Sequence, residues 1–167
     1  MGDTGRESLF GNVVRGAVAG GVATWLMDLV TTGLQEQQTP ADAAREKAAQ
    51  LDGKSSVAHL VDLVERETGF QVGDDLRPNV EMAVHYGLGV IPGAVYGATR
   101  RWIPGLGAGR GLVYGLLVFL LNDELLNTVL GLSARPDAYP LSTHLRGVVG
   151  HLALGAATDF LIDVTGG

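Results

Sequence analysis

Gly111-Leu-Val-Tyr-Gly-Leu-Leu-Val-Phe-Leu-Leu121 is apolar on every side. A helix of a water-soluble bundle carries a polar face that returns every 3.6 residues, and nothing in this stretch could supply one. Its natural surroundings are lipid. Working outward, the apolar segment extends over about 111–132, and three more of the same kind lie at about 10–34, 79–99 and 143–164. A helix that crosses a ~30 Å hydrocarbon core needs about 20 residues at ~1.5 Å each, and all four segments meet that length. The most apolar runs inside them (Gly16–Met27, Tyr86–Ala98, Gly111–Leu121, Gly147–Ala157) are shorter, and by length alone would also suit buried helices of a soluble bundle. The missing polar face decides against that alternative. The expected fold is all-α, a four-transmembrane-helix bundle forming one membrane domain over 1–167. The first segment does not read as a signal peptide, because Asp28 interrupts it and no small-residue cleavage pattern follows.

Composition removes several classes of function. With no cysteine there is no disulfide framework, Cys-based zinc site, iron–sulfur cluster or thiol nucleophile. The net charge is −6 and no basic run appears, so nucleic acid is not an expected partner. Glycine is abundant, 25 of 167 residues, but has no triplet period that would indicate collagen. Charge is concentrated between residues 35 and 79, where nine acidic and five basic residues leave a net −4. Arg100, Arg101 and Arg110 bracket the tight turn Trp102-Ile-Pro-Gly-Leu-Gly107, and the positive-inside rule places this turn in the cytoplasm. Both termini then lie inside as well, consistent with Arg6 and Arg15, while the connection 35–78 and the loop Ser133–Ser142 lie outside.

That connection is expected to be helical. Thr39 is placed to cap a helix with Pro40 at its first position, running to about residue 51. A second helix, Ser55–Thr68, sets Val57, Leu60, Val61 and Val64 on one face and ends at Gly69. It would roof the bundle or lie on the membrane surface, with His59 a surface residue of this cap.

The first and second halves share a pattern. Gly16-x3-Gly20-x7-Asp28 matches Gly111-x3-Gly115-x7-Asp123, and His85-x3-Gly89 matches His151-x3-Gly155. Two pseudo-repeated hairpins of the same orientation would follow. Glycines four apart also form a groove into which another helix backbone can pack, where apolar surface gives no net drive for association in lipid.

Depth then brings the polar residues together. Asp28 is twelve residues, or ~18 Å, above Gly16, and Asp123 stands in the same relation to Gly111. His85 and His151 descend ~9–12 Å from the other face. Glu124, Asn122 and Asn127 join this layer, Glu81 and His144 continue it outward, and Asp159 lies ~12 Å below His151, placed either to extend a proton relay toward Asp163 or to pair with an arginine such as Arg15. A charge at mid-membrane costs about 2.5–3.5 kcal/mol on insertion scales, so these groups should face inward and toward one another. The candidate proton, ion or ligand residues are therefore Asp28, Glu81, His85, Asp123, Glu124, His151 and Asp159. Glu81, His85, Glu124 and His151 are also candidate metal ligands, and haem held by His85 and His151 is a further option. The Glu-x-x-His pairs of di-iron bundles are missing. No serine lies within a span to build a triad, and Gly105-Leu-Gly-Ala-Gly109 lacks the lysine of a phosphate loop.

At Ala23-Thr-Trp-Leu-Met-Asp28, at Glu81, His85, Tyr86 and Tyr96, and at Thr143-His144 with His151 and Gly155, the chain resembles bacterial four-helix inner-membrane domains of unknown function, including the YagU-like group. The resemblance covers the four apolar segments and not the outer connection. It implies an inner-membrane location, a long first connection and buried Asp and His residues, with no assigned reaction. The chain departs from that pattern in Asn122-Asp-Glu124 and in the pair Arg100-Arg101. The expected function is the handling of protons, ions or a small solute by a buried Asp/His layer. The alternatives are a non-catalytic subunit of a larger membrane complex or of a homo-oligomer, and a metal- or haem-binding membrane protein.

Overall fold

A computed structural model describes residues 3–166, and side chains from Ser8 onward; the side chain of Arg6 lies outside the described residues. Every regular element among them is helical: α1 (Asp3–Gln35), α2 (Pro40–Ala49), a 3-10 turn at Leu51–Gly53, α3 (Ser56–Thr68), α4 (Arg77–Thr99), α5 (Leu112–Val129) and α6 (Leu141–Val164). Three are long and apolar enough to cross a membrane: α1 from Ser8, α5 and α6. The fourth expected span, α4, has the length at 23 residues but is less apolar, since it carries Glu81, His85, Pro92, two tyrosines and four glycines.

The connection folds by local rules. Thr39 Oγ1 accepts from the Asp42 amide at 3.1 Å and Pro40 opens α2, whose helical hydrogen bonds stop at Ala49, two residues short of the expected end. Asp52 at φ 50° breaks the path before Ser55 caps α3. Gly69 ends α3 at φ 74°, a left-handed conformation that glycine adopts without a steric penalty. The expected apolar face of α3 is rotated. Ala58, Val61 and Glu65 are buried and Val64 is exposed, because Glu65 turns inward to accept from Arg77 at 3.0 Å and from the Val72 amide at 2.6 Å. Arg77 also binds Asp62, which bonds Lys54 at 2.7 Å, so one ion cluster ties α3 to the head of α4.

The connection is fastened to α6 as well. Glu46 accepts from Arg146 at 2.5 Å and Thr143 at 2.8 Å, and Ser142 donates to Asp42 at 3.1 Å. Burial pushes the Glu46 carboxyl up, but the hydrogen bonds from Arg146, Gln38 and Thr143 outweigh it and hold the group below its ordinary value of 4.5. A carboxylate lowered by folding stabilises the docked state fully above its unfolded value, and that contribution is lost as pH falls through the lower folded value. A nitroxide on Ala44→Cys, the sole thiol in this chain, is expected to stay immobile at neutral pH and to gain mobility under acid. Glu46→Gln should give the mobile spectrum at every pH.

The long helices pack by glycine. α1 lies along α4 and α6, and α5 lies on α6. A methyl on Gly16 would strike the carbonyl of Gly93, and one on Gly20 the carbonyl of Gly89. On the other side Gly111 and Gly115 meet the carbonyls of Gly155 and His151. Gly111 is glycine for two reasons, this approach and φ 84°. α4 and α5 stay apart along most of their length and meet where the rings of Tyr96 and Tyr114 stack, 4.2 Å between centroids. The buried core is small (Ala19, Ala23, Tyr96, Tyr114, Val118, Leu154, Ile162), and the outward surface carries Phe10, Val18, Trp25, Ile91, Val95, Leu121, Val129 and Phe160. Apolar side chains facing out over a core that includes Thr24, Thr158, Asp159 and His151 invert the usual order of a bundle in water.

Candidate functional site

The space left between α4 and α5 is a cavity of ≈ 280 Å³. Thr24 and Gly89 line its α1–α4 side, Val118, His151 and Leu154 its α5–α6 side, and Ser56, Val57 and Leu60 of α3 roof it. A second cavity of ≈ 270 Å³ lies toward the connection, reaching Gln50, Lys54, Ser133 and Tyr139, and shares Ser56, Asp123, Asn127 and Leu132 with the first. Asp123 therefore faces both chambers.

The backbone of α5 makes this wall. From Phe119 to Leu126 it is a π-helix, and the Asn127 amide donates to the Asn122 carbonyl five residues back. In an α-helix residues five apart diverge by about 140°. The wider π-turn narrows that angle, so Asn122, Asp123 and Asn127 all line the inner chamber. Such turns are rare and recur at functional sites. Pro92 lies inside α4 and, lacking an N–H, gives no helical donor to the Leu88 carbonyl.

Each aspartate of the layer meets an imidazole, in different ways. His85 Nε2 lies 2.9 and 3.1 Å from the two oxygens of Asp28, a donated and shared hydrogen bond behind the cavity wall. His151 Nδ1 lies 2.9 Å from the Gly147 carbonyl, which only accepts, so Nδ1 carries the proton and Nε2 of the neutral ring is an acceptor. The 3.7 Å from that Nδ1 to Asp123 is too long for a hydrogen bond. Asp123, Asn122, Asn127 and Ser56 make no side-chain hydrogen bond to any described residue, and the buried Thr128 hydroxyl of the second chamber has no partner either. Asp123 keeps 40% of its side-chain surface open, and that surface faces the cavities.

Other candidates go elsewhere. Glu81 binds Arg77 at 3.2 Å, one turn away, within the ion cluster under α3. Glu124 lines only the second chamber and accepts from His144 Nδ1 at 2.7 Å; the other nitrogen of that ring faces the Pro136 carbonyl at 2.9 Å, a geometry that suits the doubly protonated imidazole. Asp159 is not part of the layer. It accepts from Tyr96 at 2.5 Å and Arg100 at 2.7 Å near the 100–110 turn, and Arg100 also holds Asp163 at 2.6 Å. The expected pairing of Asp159 with an arginine is made by Arg100, while Arg15, the arginine offered as the example, bonds Asn12. The four metal candidates Glu81, His85, Glu124 and His151 are thus separated by their own partners, and no three His, Asp or Glu among the described residues gather in metal-binding geometry. For haem, His85 Nε2 is already held by the Asp28 carboxylate and His151 Nδ1 by the Gly147 carbonyl.

The repeated pattern is also out of register by a turn. By their glycine contacts, Gly93 stands to Gly20 as Gly155 stands to Gly115, which puts His151 opposite Gly89 rather than opposite His85. That offset is why His85 grips its aspartate and His151 falls short.

No protein-family model, curated protein or solved structure matches this chain. The cavity rests on its own residues. Sequence reasoning passed over Thr24 and Ser56 as cavity walls and Arg100 as the partner of Asp159. A helix-cap signal marked the start of α3, but nothing local showed that Ser56 would look into the bundle.

Proposed function

We propose that the chain is an integral protein of a bacterial inner membrane, crossing it with α1, α4, α5 and α6, and that its cavity holds a small polar solute or ion, protons included, taken from the outer side. The termini and the 100–110 turn are cytoplasmic in this reading. The outward apolar surface supports it, as does Trp102, which is 80% exposed beside Arg100 and Arg101 where an aromatic anchor would meet headgroups. α4 belongs with the spans because its polar and glycine content faces inward: Gly89, Gly93 and Gly97 press on α1 and Tyr96 is buried, while Met82, Ile91 and Val95 face out. The paired glycine contacts, α1 with α4 and α5 with α6, support a parallel repeat of two hairpins. The likeness to YagU-like domains, with buried Asp and His, points the same way.

The observation that carries the function is a set of polar side chains without a hydrogen-bond partner among the described residues, Asn122, Asp123 and Asn127, together with His85 and His151, on one cavity. Within a bundle surrounded by lipid, half-open polar groups such as these are favourable only where water or a solute enters the space to bond them. The alternative of an accessory subunit docking through glycine grooves is less favoured, since Gly16, Gly20, Gly111, Gly115 and Gly155 are all occupied within the chain.

The lack of native cysteine makes a direct test simple. Asn122→Cys is expected to react with a small membrane-impermeant thiol reagent in intact spheroplasts, and Ala108→Cys only after permeabilisation. Failure of Asn122→Cys to react even in permeabilised membranes would overturn the water-filled cavity, and the reverse sidedness would overturn the orientation. A chain that purifies soluble and monomeric without detergent would overturn the membrane reading altogether.

A further inference from the structure

The inner chamber has one carboxylate without a hydrogen-bond donor among the described residues, and its surroundings define what could supply one. Three carboxylates lie near: Asp28 has His85 at 2.9 Å, Glu124 has His144 at 2.7 Å, and Asp123 has no hydrogen bond from any described residue. His151 comes nearest Asp123, but with the nitrogen already committed to Gly147, so it supplies no proton to the acid. Among the described residues no Lys or Arg lines the chamber; Lys54 lines only the outer one and is held by Asp62 at 2.7 Å.

We propose that this chamber binds a small organic ammonium ion, its –NH3+ group on Asp123 and its hydrocarbon body along the leucine wall. The inference rests on the cavity reading above and names the class of solute it takes. An ammonium presents three N–H donors and no acceptor, and the residues lining the chamber carry the complementary set: the Asp123 carboxylate, the lone pair of His151 Nε2 and the amide oxygens of Asn122 and Asn127. An anion would find no cationic donor there.

The rest of the lining selects for carbon. Leu60, Leu88, Val118, Leu126, Leu130 and Leu154 form the remaining wall. A bare metal cation would leave that wall against water and lacks a third His, Asp or Glu ligand. At about 30 Å³ per water the ≈ 280 Å³ chamber has room for roughly nine waters, or for an amine with a chain of several carbons. A charge-assisted hydrogen bond is about twice as strong as a neutral one, so the ammonium, rather than the hydrocarbon, should dominate recognition.

The test uses Asn122→Cys in reconstituted full-length chain and measures its rate of modification by the thiol reagent. n-Hexylammonium at about nine times its Kd is expected to slow the reaction about tenfold, the factor being one plus the ratio of ligand concentration to Kd, while n-hexanol and hexanoate at the same concentration leave it within about twofold. Adding Asp123→Asn should abolish the protection while the reagent still modifies the thiol, which shows that the cavity remains open. Protection by hexanol equal to that by hexylammonium would overturn the proposal, as would protection that survives Asp123→Asn. Modification without any protection by the amine removes this inference and leaves the cavity standing. An unreactive Asn122→Cys, with Ser56→Cys unreactive as well, removes the cavity and this inference with it.

Discussion

Arg100→Met is expected to lower stability by about 3–5 kcal/mol, the penalty of stripping one partner from a buried ion pair. The guanidinium is 12% exposed and Asp159 10% exposed, and Asp159 takes one hydrogen bond from Arg100 at 2.7 Å and one from the Tyr96 hydroxyl at 2.5 Å on the same oxygen. Without the arginine the carboxylate stays where the backbone of α6 puts it, against Tyr96 and close to Gly107, with a single neutral donor. The cost is that of an uncompensated charge, so removing the charge should recover it. Arg100→Met with Asp159→Leu is expected to regain most of the loss, because a buried pair contributes little net stability beyond an apolar pair of similar size. Asp163 is 60% exposed, and Asp163→Asn should change stability by no more than about 0.5 kcal/mol. Unfolding midpoints in mixed micelles would measure all three. A loss below about 1 kcal/mol for Arg100→Met would mean that Asp159 is solvated and that α4 and α6 are not locked there.

Gly155→Ala is expected to destabilise by about 1–3 kcal/mol even though alanine is the better helix former. The added methyl would lie 2.7 Å from the Gly115 nitrogen and 2.8 Å from its Cα, and closer still to the Gly111 carbonyl. All three are backbone atoms that cannot rotate aside, so α5 would have to move off α6. In lipid the association of two helices depends on such close contact, and separating them also widens the gap that holds Asp123 near His151. Gly87→Ala provides the opposite sign. Gly87 lies within α4 with open space around it, and alanine there should stabilise by about 0.5–1 kcal/mol through helix propensity alone. Equal midpoints for the two variants would mean that the α5–α6 contact is looser than described.

Some of this could be read one residue at a time. The Thr39 and Ser55 caps and the left-handed stop at Gly69 depend on groups within three or four positions along the chain. The helical spans rest on an apolar run without a polar face, and their counts of residues placed Asp28 near His85 and Asp123 near His151, since rise per residue converts position to depth. Depth is one coordinate only. The angle of each side chain about its helix, which decides whom it meets, depends on how the neighbours pack.

That angle separates what was legible from what was not. The sequence by itself determined an all-helical chain with apolar stretches of membrane-spanning length, a helical connection between the first two, and the acids and imidazoles that share a level. Only the tertiary structure decided that Glu81 turns to Arg77, that Asp159 turns to Arg100, that His151 sits a turn deeper than the matching motif implied, and that a π-turn aims Asn122, Asp123 and Asn127 into one chamber. The physical reason is that local propensity and hydropathy act along the chain. A hydrogen bond between helices depends on distance and direction across a packed interface, and here glycine contacts far from the acids set that interface.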